Sequence, residues 1–143
     1  MATPYSSFNS SITIFLLFTT ALVMMSHQAA AVFKLYAGYT LYPGQYLTYN
    51  GYFFVMQYDC NLVLHEFNFP IWSSGTNGMG SRCILQMQFD GNLVVYKDLG
   101  ATAVWSSNSL QPYRDYYFLV LQIDRNAVIY RPDNTPIWST NIK

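Results

Sequence analysis

One polar pattern occurs three times in this 143-residue chain, and a chain that repeats itself in this way must fold as three like units. The copies are Gln57, Asp59, Asn61, Val63 and His65; Gln88, Asp90, Asn92, Val94 and Tyr96; and Gln122, Asp124, Asn126, Val128 and Tyr130. They begin 31 and 34 residues apart, and Trp72, Trp105 and Trp138 keep step at 33 and 33. A repeated core needs apolar residues at fixed offsets but has no need of Gln, Asp and Asn. Function is therefore expected at the polar positions.

Each unit reads as short strands broken by turns. Runs rich in β-branched, aromatic and aliphatic residues, such as Phe53-Phe54-Val55-Met56, Leu93-Val94-Val95-Tyr96 and Phe118-Leu119-Val120-Leu121, are bounded by Gly, Asn, Asp and Pro. Helical repeats of similar period are excluded, because no stretch after residue 31 sustains a 3.6-residue apolar face. An all-β fold with pseudo-threefold symmetry follows, and the segment 41–47 is expected to add a hairpin that completes a sheet. The tryptophans, each in an Ile/Val-Trp-Ser context, are either stacking platforms for a ligand or a shared core. The core reading is favoured because large aromatics dominate burial.

The first 31 residues carry no charged side chain, and residues 12–25 form an apolar run interrupted only by Thr. That run is short for a membrane span and ends before Ala29, Ala30 and Ala31, so residues 1–31 are expected to be a secretory signal, with an uncleaved N-terminal anchor as the alternative, and residues 32–143 one mature domain. Export to the extracellular space, or alternatively to the vacuole, is expected, with no membrane insertion after cleavage. All seven basic and all seven acidic residues lie after Val32 and are scattered, which excludes nucleic acid and anionic membranes as partners, since both require a basic face. In an exported chain the only two cysteines, Cys60 and Cys83, read as one disulfide joining unit one to the start of unit two.

The spacing of the motif puts its residues on one face of a strand, but a straight strand of that length would spread them over roughly 26 Å. The triplets Asp59-Cys60-Asn61, Asp90-Gly91-Asn92 and Asp124-Arg125-Asn126 are turn formers, so the motif should bend there and its side chains converge. Converged, they suit a neutral polyol: Asp accepts hydroxyl hydrogens, Asn and Gln donate and accept, Tyr adds a phenol and Val an apolar patch. The bland alternative is that Asp and Asn only shape turns. Turns alone, however, would not retain Gln and Tyr as well.

The sequences QYDCNLVLH at Gln57, QFDGNLVVY at Gln88 and QIDRNAVIY at Gln122 resemble the QxDxNxVxY motif of the bulb-type monocot mannose-binding lectins. The cysteine pair and the three tryptophans match as well. The resemblance implies a β-prism II fold of three four-stranded antiparallel sheets. It also implies mannose sites in which Asp90 and Asn92 take the axial O2, Gln88 O3 and Tyr96 O4, with Val94 under the ring. Asp124, Asn126, Gln122, Tyr130 and Val128 would act in the same way. His65 departs from the motif, which implies a weaker or inactive site at Gln57, Asp59, Asn61 and Val63.

The expected function is mannose-specific binding to glycans or glycoproteins, with no enzymatic activity, no cofactor and no metal. By resemblance, a homodimer or homotetramer and an antifungal or anti-insect defence role are also expected. The alternative is a protein-interaction module that kept the scaffold and lost the sugar. A hydrolase is disfavoured because the motif carboxylates fall one per unit and leave no acid and base pair.

Overall fold

The computed structural model describes residues 32–143. The expected signal segment, residues 1–31, lies outside the described residues.

Among the described residues there are twelve strands and no helix: β1 Lys34–Tyr36, β2 Thr40–Leu41, β3 Tyr46–Tyr49, β4 Tyr52–Met56, β5 Leu62–Glu66, β6 Phe69–Ser73, β7 Ile84–Met87, β8 Leu93–Lys97, β9 Thr102–Ser106, β10 Phe118–Leu121, β11 Ala127–Tyr130 and β12 Pro136–Ser139. They form three four-stranded antiparallel sheets in the orders β3-β4-β5-β6, β2-β7-β8-β9 and β1-β10-β11-β12. Each repeat supplies three consecutive strands of one sheet. This is the β-prism II architecture.

The period-two alternation of the central strands builds the core. Phe54 and Met56 of β4, Leu62 and Leu64 of β5, Leu85 and Met87 of β7, Leu93 and Val95 of β8, and Leu119 and Ile129 of β10 and β11 are all fully buried. The tryptophans sit on β6, β9 and β12 and meet edge to face: Trp72–Trp105 at 5.8 Å, Trp72–Trp138 at 5.9 Å and Trp105–Trp138 at 6.0 Å. T-shaped contacts suit the ring quadrupoles, and the three equivalent indoles pack against the core, as the core reading expected.

The hairpin expected over 41–47 does not form. Its turn is real, since Gln45 N–H donates to the Tyr42 carbonyl at 2.9 Å. The strands on either side of the turn, β2 and β3, belong to different sheets. The N-terminal segment instead makes a lap of the prism: β1 pairs with β10, β2 with β7 and β3 with β4, so each sheet receives its fourth strand from this lap. Gly38 turns the chain between β1 and β2 at φ 87°, where an added Cβ would come within 2.9 Å of the Phe89 ring.

The middle residue of each Asp-x-Asn turn ties its unit to the next. Cys60, Gly91 and Arg125 all take positive φ, at 73°, 83° and 75°. Cys60 forms the disulfide with Cys83 at the entry to unit two, with Cα atoms 5.1 Å apart. Gly91 lets Ile137 of unit three approach, because a Cβ there would lie 3.3 Å from Ile137 Cδ1 and 2.9 Å from Gln111 Cγ. Arg125 of unit three returns to unit one through a 3.1 Å ion pair with Glu66 and donates to the Lys143 carbonyl at 3.2 Å. Glu66 also accepts from the Tyr52 hydroxyl; partial burial first, and the Glu66 carboxylate second, raise the Tyr52 phenol above its ordinary pKa. Three different chemistries thus close one ring around the prism.

Of the three ties the covalent one contributes most. Replacing Cys60 and Cys83 by Ser should lower unfolding stability by about 3 kcal/mol, on a chain-entropy estimate for a loop of this size. Urea denaturation checks this, and an unchanged midpoint would contradict it.

Candidate functional site

Each motif copy folds the same way. Its Gln follows the last residue of β4, β7 or β10, and a tight turn closes when Gln57, Gln88 or Gln122 N–H donates to the carbonyl of Asn61, Asn92 or Asn126 at 3.0, 3.0 and 2.9 Å. The positive-φ residue before the Asn gives a bulged hairpin turn whose twist matches the flanking strands. The Asn then leads directly into β5, β8 or β11, and the chain doubles back within the motif. The spread that a straight strand would impose is removed, as the turn triplets required.

The Asp and Asn side chains each commit part of their polar atoms to the fold. One Asp oxygen accepts the N–H of the Asn two residues on, at 2.9 Å for Asp59, 3.0 Å for Asp90 and 3.1 Å for Asp124. The Asn carbonyl oxygen is committed to the loop after the tryptophan strand. Asn61 Oδ1 accepts from Ser74 Oγ and Thr76 N–H, both at 3.2 Å. Asn92 Oδ1 accepts from Ser107 Oγ at 3.1 Å and Ser109 N–H at 3.3 Å. Asn126 Oδ1 accepts from Thr140 Oγ1 at 3.1 Å and Ile142 N–H at 2.7 Å. Turn shaping therefore accounts for part of the motif, and it leaves the second Asp oxygen and the Asn amide nitrogen.

Those remaining atoms distinguish the copies. Among the described residues, Asp90 Oδ2 and Asn92 Nδ2 have no protein partner, and the same holds for Asp59 Oδ2 and Asn61 Nδ2. In the third copy Asn126 Nδ2 donates to the Asp124 and Ile142 carbonyls, each at 3.2 Å.

Gln and the ninth residue meet across the valine. Gln88 Nε2 donates to the Tyr96 hydroxyl at 2.6 Å, and Gln57 Nε2 lies 3.2 Å from His65 Nε2. Gln122 pairs with Tyr130; with its amide oxygen toward the phenol it accepts from that hydroxyl, and its nitrogen donates to the Asp124 carboxylate at 3.2 and 3.3 Å. Val63, Val94 and Val128 form the floor and are nearly buried, at 3%, 3% and 6% exposure, so only a thin apolar surface faces out. All five residues of each copy are brought together, and the only change of chemistry is His65.

Sequence reasoning missed the hydroxyls that brace the asparagines. Ser74, Ser107 and Thr140 stand two positions after each tryptophan, and each also accepts the N–H of the first strand residue after the Asn: Leu62 at 3.0 Å, Leu93 at 2.9 Å and Ala127 at 3.1 Å. The signal was present as a repeated Trp-Ser-Ser/Thr. Among the described residues no group of three or more His, Cys, Asp or Glu side chains gathers as a metal site.

Three sheets around a tryptophan axis, each with an open cluster of Gln, Asp and Asn completed by Tyr or, in the first sheet, by His65, define the lectin fold of the β-prism II class. The chain is 43% identical over 106 residues to the mannose-specific lectin of Aloe arborescens, covering 74% of this chain and 94% of that one. It is 56% identical over 62 residues to that of Narcissus tazetta, which covers 43% of this chain but only 45% of the relative. Among solved structures, monomeric monocot mannose-binding lectins from Gastrodia elata align with TM-score 0.74 and 48% identity over 78% of this chain and 98% of theirs. The snowdrop (Galanthus nivalis) agglutinin complexed with methyl α-D-mannoside aligns with TM-score 0.66 and 43% identity over 78% of this chain and 97% of the agglutinin. No protein-family model matches the chain. The chain belongs to the monocot mannose-binding lectin family, and the relatives compared carry the names of lectins, not of enzymes.

Proposed function

We propose that this protein is a secreted, mannose-specific lectin that binds terminal α-D-mannose at the second and third motif copies. The observation that carries this reading is the state of the second copy. Gln88 and Tyr96 join over Val94, while Asp90 Oδ2 and Asn92 Nδ2 stay without protein partners among the described residues. One acceptor and one donor side by side match a hydroxyl, which donates one hydrogen and accepts another. Asp90 and Asn92 take the axial O2, Gln88 O3 and Tyr96 O4, with Val94 beneath the ring; Asp124, Asn126, Gln122, Tyr130 and Val128 repeat this. The axial O2 separates mannose from glucose, so the Asp and Asn contacts carry specificity.

The second site is the strongest of the three, because at the third a ligand must share the Asn126 amide with two backbone carbonyls. At the first site the shorter His65 reaches O4 poorly. His65→Tyr should therefore raise the number of mannoside sites titrated per chain by one, with Gln57, Asp59, Asn61 and Val63 already in place. An unchanged stoichiometry would place the defect elsewhere in that site.

A single open site of this kind binds at the millimolar level, about −4 kcal/mol. Avidity for glycans and glycoproteins then comes from several sites on one prism, and assembly into a homodimer or homotetramer would multiply it. Retention on immobilised mannan tests the reading: methyl α-mannoside should elute the protein, and methyl α-glucoside at the same concentration should not. Flow-through without retention would contradict it.

Export is supported by the uncharged, apolar residues 1–31. A defence role against fungi or insects is proposed with it, and growth inhibition that persists in excess free mannose would detach that role from sugar binding.

A further inference from the structure

The Asp ends of the second and third motif copies open on shallow hollows of different character. Beside the third copy the hollow has a volume of about 340 Å³ and is walled by Phe33, Tyr49, Val120, Leu121 and Ile123, together with Gln122 and Asp124 of the motif. Phe33 and Tyr49 form a tilted pair with ring centroids 5.3 Å apart, and Ile123 is 64% exposed, so the wall can be reached from solvent. Beside the second copy the equivalent hollow, about 400 Å³, is lined by Gly38, Gln86, Met87, Phe89 and Arg114 with Gln88 and Asp90. There the Arg114 guanidinium sits 5.4 Å from the Phe89 ring centroid and Tyr116 meets the same ring at 5.9 Å. In the first unit Tyr58, which stands where Ile123 does, lies against Gly44, where an added Cβ would come within 2.6 Å of the tyrosine hydroxyl.

We propose that the third site carries an adjoining subsite for an aromatic group joined through the anomeric oxygen of a mannoside. The inference rests on the mannose reading above. C1 of mannose is the ring neighbour of C2, and Asp124 is assigned to O2. A group on the anomeric oxygen therefore leaves the ring on the Asp124 side, where the hollow lies. Apart from the Tyr49 hydroxyl, the wall adds no hydrogen-bonding side chain beyond Gln122 and Asp124, which the mannose itself occupies. A second pyranose there would leave most of its hydroxyls without protein partners, whereas an aromatic ring joins the Phe33–Tyr49 pair and covers Ile123. Both hollows hold a ring with a cation beside it, Lys34 Nζ at 5.6 Å from the Phe33 centroid and Arg114 at 5.4 Å from that of Phe89. Only at the second site do that cation and a further amide, Gln86, line the hollow and offer hydrogen bonds to a polar group instead.

Calorimetric titration with 4-nitrophenyl α-mannoside, methyl α-mannoside and an α-linked mannobiose tests this. An added aromatic contact should make the nitrophenyl mannoside bind one site of the chain about three- to tenfold more tightly than the methyl mannoside. Ile123→Glu and Phe33→Ala should each abolish that advantage and leave methyl mannoside binding unchanged; the first variant is at an exposed loop position and keeps the fold. Methyl mannoside binding with no aryl advantage, or an advantage that survives both variants, would overturn the subsite alone. A gain for mannobiose equal to or above the aryl gain would overturn its aromatic assignment. No binding of any mannoside would overturn the mannose reading itself, and the subsite with it.

Discussion

The double variant Asp90→Asn/Asp124→Asn should lose measurable mannoside binding while keeping its fold. Asn retains a side-chain oxygen, so the turn bonds from Asn92 and Asn126 N–H, at 3.0 and 3.1 Å, can still form. What disappears is the charge and the second anionic oxygen. Hydrogen bonds to a charged group contribute about 1.5 to 3 kcal/mol, so each site should weaken by about ten- to a hundredfold. A millimolar site weakened that far gives no usable signal. The substitution is more informative than Ala, which would remove the turn bond too and confuse misfolding with lost binding. Titration with methyl α-mannoside, alongside urea denaturation, reads both quantities. Binding retained within about threefold, where an ordinary neutral hydrogen bond would suffice, would show that the carboxylates only shape turns.

Trp72→Ala should have the largest effect on stability, about 3 kcal/mol or somewhat more, the lower part of the range for truncating a large core aromatic, because Trp72 is partly buried and packs against the core. The Trp72 ring centroid lies 5.8 Å from that of Trp105, 5.9 Å from that of Trp138 and 5.9 Å from that of Phe54, so one substitution removes edge-to-face contacts to both other sheets and a tilted contact within its own. A loss of that size is a large part of what a domain this small has to spare. The denaturation midpoint should fall sharply, with the remaining folded protein still binding mannoside. If the indoles were sugar platforms the pattern would invert, with stability nearly unchanged and binding lost.

The parts of this fold that were legible from sequence are the local and repeated ones. Turn chemistry at Asp-x-Asn, strand alternation such as that of Phe54 and Met56, and the in-step tryptophans each act over a few residues or recur three times. The path of residues 34–49 was not legible in the same way. The turn at residues 42–45 is tight whether its strands pair with each other or with strands far along the chain, and only β4, β7 and β10, each lacking a neighbour, decide between them. The roles of Asp and Asn were half legible. Their types pointed correctly to turns, but which of their atoms the fold takes up, and which it leaves over for the proposed sugar contacts, depends on Ser74, Ser107 and Thr140, which arrive from the end of the neighbouring hairpin. The Arg125–Glu66 tie was hidden for a similar reason, since its two residues are brought together only by closure of the prism. His65 shows the opposite limit: sequence alone identified the departure, and the structure adds that the imidazole still reaches Gln57 at 3.2 Å.

The most direct test of sugar recognition by the repeated motif is calorimetric titration with methyl α-mannoside at high concentration, with methyl α-glucoside as the control. Two millimolar sites per chain, silent to the glucoside, are expected. Heat no greater than that of the glucoside control would contradict the account and leave the three motif copies as scaffold alone.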